Sequence, residues 1–351
     1  MTQKPRSQPI IQGKFVSRPA TMADLEELVD LYNDYWEATA GVRKMTMENA
    51  RTLCTTPGFD LERSTRVVLT PAGRIVGLAL VVDLGTPPVH PEVAGAVHPD
   101  FEGRGVGAAL LQWAEERARE AIARVPEGLR VSMYASSTVA HEPTRRLFEK
   151  MGLQAVRHSW LMAIDLDGPP PEPEWPEGIV IRTYQDHPDL GAVYRAVSDA
   201  FKDHWGYVQQ PEEEGLRRWQ HRIESDSEFD PSLWFLAMDG DEIAGMSLCP
   251  PHAPHDHEMG FVNTLGVRRP WRRKGLALSL LYLSFGEFYR RGKKKVGLGV
   301  DAGSLTGATR LYEKAGMYVE QQITLYEKEL RPGQELGTQV AEQTALSEEG
   351  I

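Results

Sequence analysis

Two six-residue stretches, Glu102-Gly-Arg-Gly-Val-Gly107 and Arg272-Arg-Lys-Gly-Leu-Ala277, have the composition of an anion cradle. In each, a β-branched run stops, a Pro follows, and a turn of small residues opens an apolar helix. Unpaired amides and the positive end of the helix dipole then face an anion. Gly275 and Ala277 keep bulky side chains out of the space between ligand and backbone. In the second copy Arg268, Arg269, Arg272, Arg273 and Lys274 concentrate positive charge in a chain of net charge -11. That local reversal suits a small polyanion better than a nucleic acid. The first copy keeps the turn, with Val97 before it and Arg104, Gly105, Val106 and Gly107 in it, but sets Glu102 where the second has Arg272. A carboxylate there repels phosphate, although the backbone donors remain. Elsewhere, Tyr312 lies on the stripe Ala308, Leu311, Tyr312, Ala315, a spacing that by itself describes a core tyrosine. The run from Pro250 to Glu258 holds three histidines and two acids. Such a set could ligate zinc, but with no partner cluster elsewhere and several prolines it reads as a polar loop, and no metal is expected.

The elements that position these residues recur in the same order on both sides of a Pro-rich linker at residues 166–177. Phe15–Arg18 and Ile179–Arg182 read as short strands, followed by helices over Met22–Trp36 and Leu190–Phe201 and again near Met47–Leu53 and Glu212–Ile223. Hairpins follow, with Gly73 and Gly240 at their turns. Then come a strand, the cradle and its helix, another strand, a short helix and a last strand. Arg104 and Lys274 are 170 residues apart, and Gly77 and Gly245 are 168 apart, so the register drifts only by loop changes. The expected division is a domain over 13–165 and a second over 178–330, with unstructured ends at 1–12 and in the acidic segment 331–351.

A length of 351 residues is enough for two cores. Cys54 and Cys249 are too few for a disulfide framework, and no apolar run reaches membrane-spanning length or resembles a signal peptide. A cytoplasmic protein is expected, with no nucleic-acid or membrane partner.

The order of elements and the central loop resemble the GNAT superfamily of acyl-CoA-dependent N-acetyltransferases, over nearly all of residues 14–165 and 178–330. The family motif Gln/Arg-x-x-Gly-x-Gly/Ala is complete in Arg272–Ala277 and departs at Glu102 in the first copy. The resemblance implies an α/β (α+β) fold of two tandem GNAT domains, each a mixed, splayed sheet flanked by helices. It implies coenzyme A at Arg272, Arg273, Lys274, Gly275, Leu276 and Ala277, with the pantetheine arm along Leu265, Gly266 and Val267. A second cofactor site would use Val97, Arg104, Gly105, Val106 and Gly107. Tyr312 matches the tyrosine that protonates the departing thiolate, and Phe148 stands in its place in the first half. The resemblance offers Glu258, at the start of the splayed strand, as the general base, with His257 and Asp256 as alternatives, and Trp205 and Tyr207 as walls of the acceptor pocket. The pattern is similar to tandem GNAT enzymes of the mycothiol synthase type, in which the C-terminal half does the chemistry. The expected activity is transfer of acetyl from acetyl-CoA to a small-molecule primary amine by direct attack. A non-catalytic acyl-CoA sensor and a protein acetyltransferase stay open as alternatives.

Overall fold

In the computed structural model, residues 14–254, 256–303 and 308–339 are described; the expected disordered start at 1–12 lies outside them. The first half runs β1 (Val16–Arg18), α1 (Leu25–Ala40), α2 (Met47–Thr55), α3 (Leu61–Ser64), β2 (Thr65–Leu69), β3 (Ile75–Val82), β4 (Glu92–Val97), α4 (Val106–Arg119), β5 (Val131–Thr138), α5 (Glu142–Lys150) and β6 (Gln154–Asp165). The second runs β7 (Ile179–Thr183), α6 (Leu190–Phe201), α7 (Glu212–Glu224), β8 (Trp234–Asp239), β9 (Glu242–Leu248), β10 (Met259–Val262), β11 (Thr264–Val267), α8 (Leu276–Arg290), β12 (Lys295–Asp301), α9 (Ala308–Lys314) and β13 (Tyr318–Arg331).

Local chemistry accounts for most boundaries. The helix expected at Met22 begins as a 3-10 turn over Met22–Asp24 and continues as α1, which buries Leu25, Leu28, Val29, Leu31, Tyr35 and Trp36 and ends at left-handed Gly41. Thr46 caps α2 by accepting from the Asn49 amide, and Asp189 caps α6 by accepting from Ala192. Each cradle helix packs its apolar face on its own half's sheet: Val106, Leu110, Leu111 and Ala114 from α4, and Leu276, Leu280, Leu281 and Phe285 from α8.

The last strands are exchanged. One sheet has nine strands in the order β1-β2-β3-β4-β5-β13-β6-β12-β10, and the other has β11-β9-β8-β7. Thus β13, from the second half, lies between β5 and β6, and β6 lies between β13 and β12. The limits 13–165 and 178–330 follow the order of elements, but neither half completes its sheet alone. Alternation along a strand specifies faces, not edge neighbours, so the exchange leaves no sign in periodicity. Within the exchanged strand, Lys328 is buried and donates to Glu115 Oε2 of α4 at 2.5 Å and to the Met151 carbonyl at 2.6 Å.

The linker is extended along the second half: Leu166 donates to the Lys294 carbonyl at 2.7 Å, and Ser279 donates to the Glu174 carbonyl. Part of the segment expected to be unstructured, 332–339, instead lies on the fold. Gln334 and Arg130 pair through the main chain, Glu335 meets His90 at 3.0 Å and Arg130 at 3.1 Å, and Thr338 bonds Gly206 and Tyr207. Ion pairs and main-chain bonds hold it, neither of which requires hydrophobic periodicity. Residues 340–351 lie outside the described part.

Candidate active site

Each half splays its sheet at the strand that leads into the cradle. In the first, β4 and β5 pair only at Glu92↔Tyr134 and Val93↔Ala135, then part. In the second, β10 follows β12 up to Val262↔Leu298, and after Asn263 the chain crosses to the other sheet as β11, paired with β9. Leu265, Gly266 and Val267 therefore belong to an edge strand, whose outer backbone groups are available to an extended ligand.

The two cradles have the same backbone. Gly103 and Gly105 have φ 73° and 86°; Arg273 and Gly275 have φ 63° and 86°. Arg273 is the only non-glycine residue at positive φ among the described residues, a conformation that costs roughly 1–2 kcal/mol. The backbone holds it because the turn must aim its amides outward. Among the described residues, the amides of Arg273, Lys274, Gly275, Leu276 and Ala277 make no hydrogen bond, and the first helical bonds come from Leu278 and Ser279 to the Gly275 carbonyl. A Cβ at Gly275 would meet no atom within 4 Å. Five open donors, a clear approach and a helix N-terminus fit a diphosphate.

The basic cluster divides into two groups. Arg268 pairs with Asp199 at 2.8 Å and Glu242 at 3.0 Å, and Arg269 pairs with Asp203. Arg272, expected to touch the cofactor, instead ties the site together. Its guanidinium donates to the Val267 carbonyl at 2.9 Å, the Ala200 carbonyl at 2.9 Å and Asp203 at 3.0 Å. These contacts fix β11, the end of α6 and the turn relative to one another. The Arg269 and Arg272 guanidinium groups hold the Asp203 carboxyl down at about 2. Arg273 and Lys274 are exposed and have no ion pair among the described residues, so theirs are the charges left for a ligand.

Tyr312 is 7% exposed and lies in one apolar cluster with Leu276 and Leu298, against which Leu265 and Val267 pack. Burial pushes its phenol up to about 12, and its hydroxyl makes no hydrogen bond among the described residues. The structure thus brings Tyr312, β11 and the start of α8 together. Glu258 is not brought with them. It is exposed and precedes β10, at the paired end of the strands. The four residues of β10 separate it from the crossing at Asn263, five steps of extended chain or roughly 16 Å. Cys249 is fully buried and its thiol is raised to about 11 by burial, so it supplies no thiolate.

Trp205 belongs to the other cleft. It lies 5.9 Å from Tyr134, with Arg157 stacked at 5.4 Å, and with Gly206 it lines the cavity of the first half. Tyr207 donates to Gln209 at 3.0 Å and does not line that cavity. The cavity, about 880 Å³, extends between β4 and β5 from Val97, Gly103, Gly105 and Gly107 to Glu92 and Tyr134. Val106 is buried beneath it, and Arg104 turns away over Phe101, donating to the Asp100 carbonyl at 3.1 Å. Glu102 is 3.4 Å from His141.

Sequence reasoning missed three polar residues of this cavity. Glu92 faces it without a hydrogen-bond partner among the described residues, and desolvation raises its carboxyl pKa. The Lys44 ammonium sits 3.8 Å over Trp36, and burial lowers its pKa. Tyr134 is raised by burial, then by the Glu327 and Glu335 charges. The one available signal was position: Glu92 precedes Arg104 by the same interval as Val262 precedes Lys274.

The sequence profile of the acetyltransferase (GNAT) family matches residues 25–153 and 192–317. Mycothiol acetyltransferase of Streptomyces bingchenggensis is 32% identical over 268 residues, 74% of this chain and 77% of the relative. That of Streptomyces scabiei is 27% identical over 331 residues, covering 94% of this chain and 100% of the relative. A crystal structure of a GCN5-related N-acetyltransferase from Sphaerobacter thermophilus matches with TM-score 0.74 and 37% identity, over 92% of this chain and 98% of that one. A tandem GNAT protein from the clavulanic acid biosynthesis pathway shares the fold, with TM-score 0.67 and 17% identity over 91% of this chain and 100% of its own. With two copies of the family domain, each splayed at its cradle, the chain belongs to the GNAT acetyltransferases, enzymes whose cofactor is acetyl-CoA.

Proposed function

We propose that the chain transfers acetyl from acetyl-CoA to the primary amine of a small molecule, by direct attack in the C-terminal domain, in the cytoplasm. The observation that carries the choice of domain is what the second half adds to the shared cradle backbone: the uncommitted charges of Arg273 and Lys274, and in the adjoining cluster the Tyr312 hydroxyl, which has no hydrogen bond among the described residues. Bound there, the cofactor supplies an activated thioester. Residues 273–277 hold its diphosphate, and the free edge of β11 aligns the arm and offers amides to a developing oxyanion. Tyr312 keeps its proton at neutral pH and offers it to the departing thiolate; from a phenol at about 12 to a thiol of ordinary pKa ~8.5 full transfer is uphill by roughly 3.5 units, ~5 kcal/mol, which contacts made in the bound state must offset. Arg272 maintains the spacing of β11 and the turn. Glu258 takes up the amine proton only through intervening water, given its place before β10. Both cysteines are free, which supports a reducing compartment, and burial raises both thiols, which supports a route without an acyl-enzyme. The resemblance to mycothiol acetyltransferases supports a small amine acceptor over a polypeptide.

A second reading rests on the first cavity. Glu92 stands at the apex of that splay, without a hydrogen bond among the described residues and with a raised pKa, as a general base requires. Its half lacks the tyrosine acid, having Phe148, and carries Glu102 at the cradle. Steady-state acetylation of an amine panel by Tyr312→Phe and Glu92→Gln separates the two. Loss of kcat in Tyr312→Phe with Glu92→Gln active supports the C-terminal site; the reverse result moves the chemistry to the first domain.

A further inference from the structure

The loop between β9 and β10 is built more firmly than its sequence suggests. The Ala253 amide donates to the Met259 carbonyl at 2.7 Å and the Met259 amide to the Asp256 carbonyl at 3.2 Å, closing a tight turn. Lys293 donates to the His257 carbonyl, and Pro250, Pro251 and Pro254 limit the remaining freedom. The turn stacks His252 on His257 with ring centroids 3.8 Å apart. Glu228, 24 residues upstream after α7, completes the group, with Oε2 2.9 Å from His252 Nε2.

We propose that Glu228, His252 and His257 bind one divalent transition-metal ion of the zinc class. Hydrogen-bond arithmetic favours a cation here. His252 Nδ1 lies 2.9 Å from the Ala253 carbonyl, which can only accept, so the proton of the neutral ring is on Nδ1. A neutral ring then presents the Nε2 lone pair to a carboxylate oxygen, a contact between two acceptors that is relieved either by a second ring proton or by a metal ion, and titration with Co²⁺ tells the two apart. A ring N–H held by a backbone carbonyl is also the arrangement that orients a metal-ligating imidazole. The His257 ring nitrogens have no hydrogen-bond partner among the described residues, so they are free to ligate.

The dimensions agree. The three ligand atoms lie within 4.8 Å of one another. An ion at their centre is at most about 2.8 Å from each, and small rotations of exposed Glu228 and His257 bring this to the ~2.0–2.2 Å of zinc bonds. Two imidazoles and a carboxylate leave a fourth position for water and favour borderline cations over calcium or magnesium. The ion would tie the β9–β10 loop to the turn after α7. That turn also meets the first half, where Glu48 of α2 accepts from the Ser227 amide at 2.6 Å.

The test is titration of the full-length, chelator-treated protein with Co²⁺, read from visible ligand-field bands, followed by displacement with Zn²⁺. One Co²⁺ per chain is expected, with four-coordinate bands that Zn²⁺ abolishes. Glu228→Gln and His257→Ala, both at exposed positions, should each weaken binding by at least about tenfold. Zinc should raise the melting temperature of the parent chain but not of His257→Ala. No saturable Co²⁺ binding, or equal binding by both variants, overturns the site. Because occupancy is the readout, either result leaves the acetyl-transfer proposal intact.

Discussion

Arg273 and Tyr312 illustrate how much function depends on individual conformations. Arg273 holds a backbone shape that Gly103 supplies without strain in the first half. Arg273→Gly should therefore stabilise the fold by about 1 kcal/mol while removing a phosphate charge. The expected result is a higher melting temperature with a KM for acetyl-CoA raised roughly fivefold, the effect of one exposed charge pair. For Tyr312→Phe, kcat should fall by roughly 10²–10⁴ with little change in that KM, as loss of a general acid requires. The phenol also gives a pH signature. Its folded pKa, about 12, lies above the unfolded value, so its contribution to stability is complete below pH ~10 and is lost as pH rises toward 12. Two units correspond to about 3 kcal/mol. Because Tyr134 and other buried phenols are raised as well, alkaline melts should show a loss in both proteins, smaller in Tyr312→Phe than in the parent by about this amount.

Among elements, β13 is the least replaceable. It brings Lys328 to Glu115, which Arg119 also contacts at 2.7 Å, in the core of the other half. Lys328→Met should cost about 3 kcal/mol, because a buried carboxylate loses a cationic partner. Urea unfolding would measure it. Arg272→Ala should separate β11 from its turn, raising KM for acetyl-CoA and lowering the melting temperature together, whereas Lys274→Ala should raise KM alone. That contrast distinguishes a positioning arginine from a ligand-facing lysine. Helices, hairpins and cradles were legible from spacing because their causes are local: Thr46 and Asp189 cap, Gly73 and Gly240 turn, and apolar stripes recur at helical period. The site residues were less so. Arg272 carries the family motif, yet its partners Asp203 and Ala200 are about 70 positions away, and only folding assigns it to scaffold.

At the scale of the molecule, exchange of β6 and β13 makes the two halves interdependent. Residues 1–177 expressed alone should fail to form a cooperative fold, and co-expression with 178–351 should restore a single transition by circular dichroism. A first half that folds alone would show that β13 is dispensable to it. No helix among the described residues is long and apolar enough to cross a membrane. By itself the sequence determined the duplication, the succession of elements, both cradles and the placement of tyrosine in one half and phenylalanine in the other. All of these depend on residues close together in the chain, where capping, turn chemistry and periodicity act. Tertiary structure decided which strands are neighbours, which cations are already paired, that Trp205 faces the first cavity, and that Glu92 stands at its apex while Glu258 does not reach the second. These depend on contacts between distant segments, for which side-chain alternation and composition encode no address.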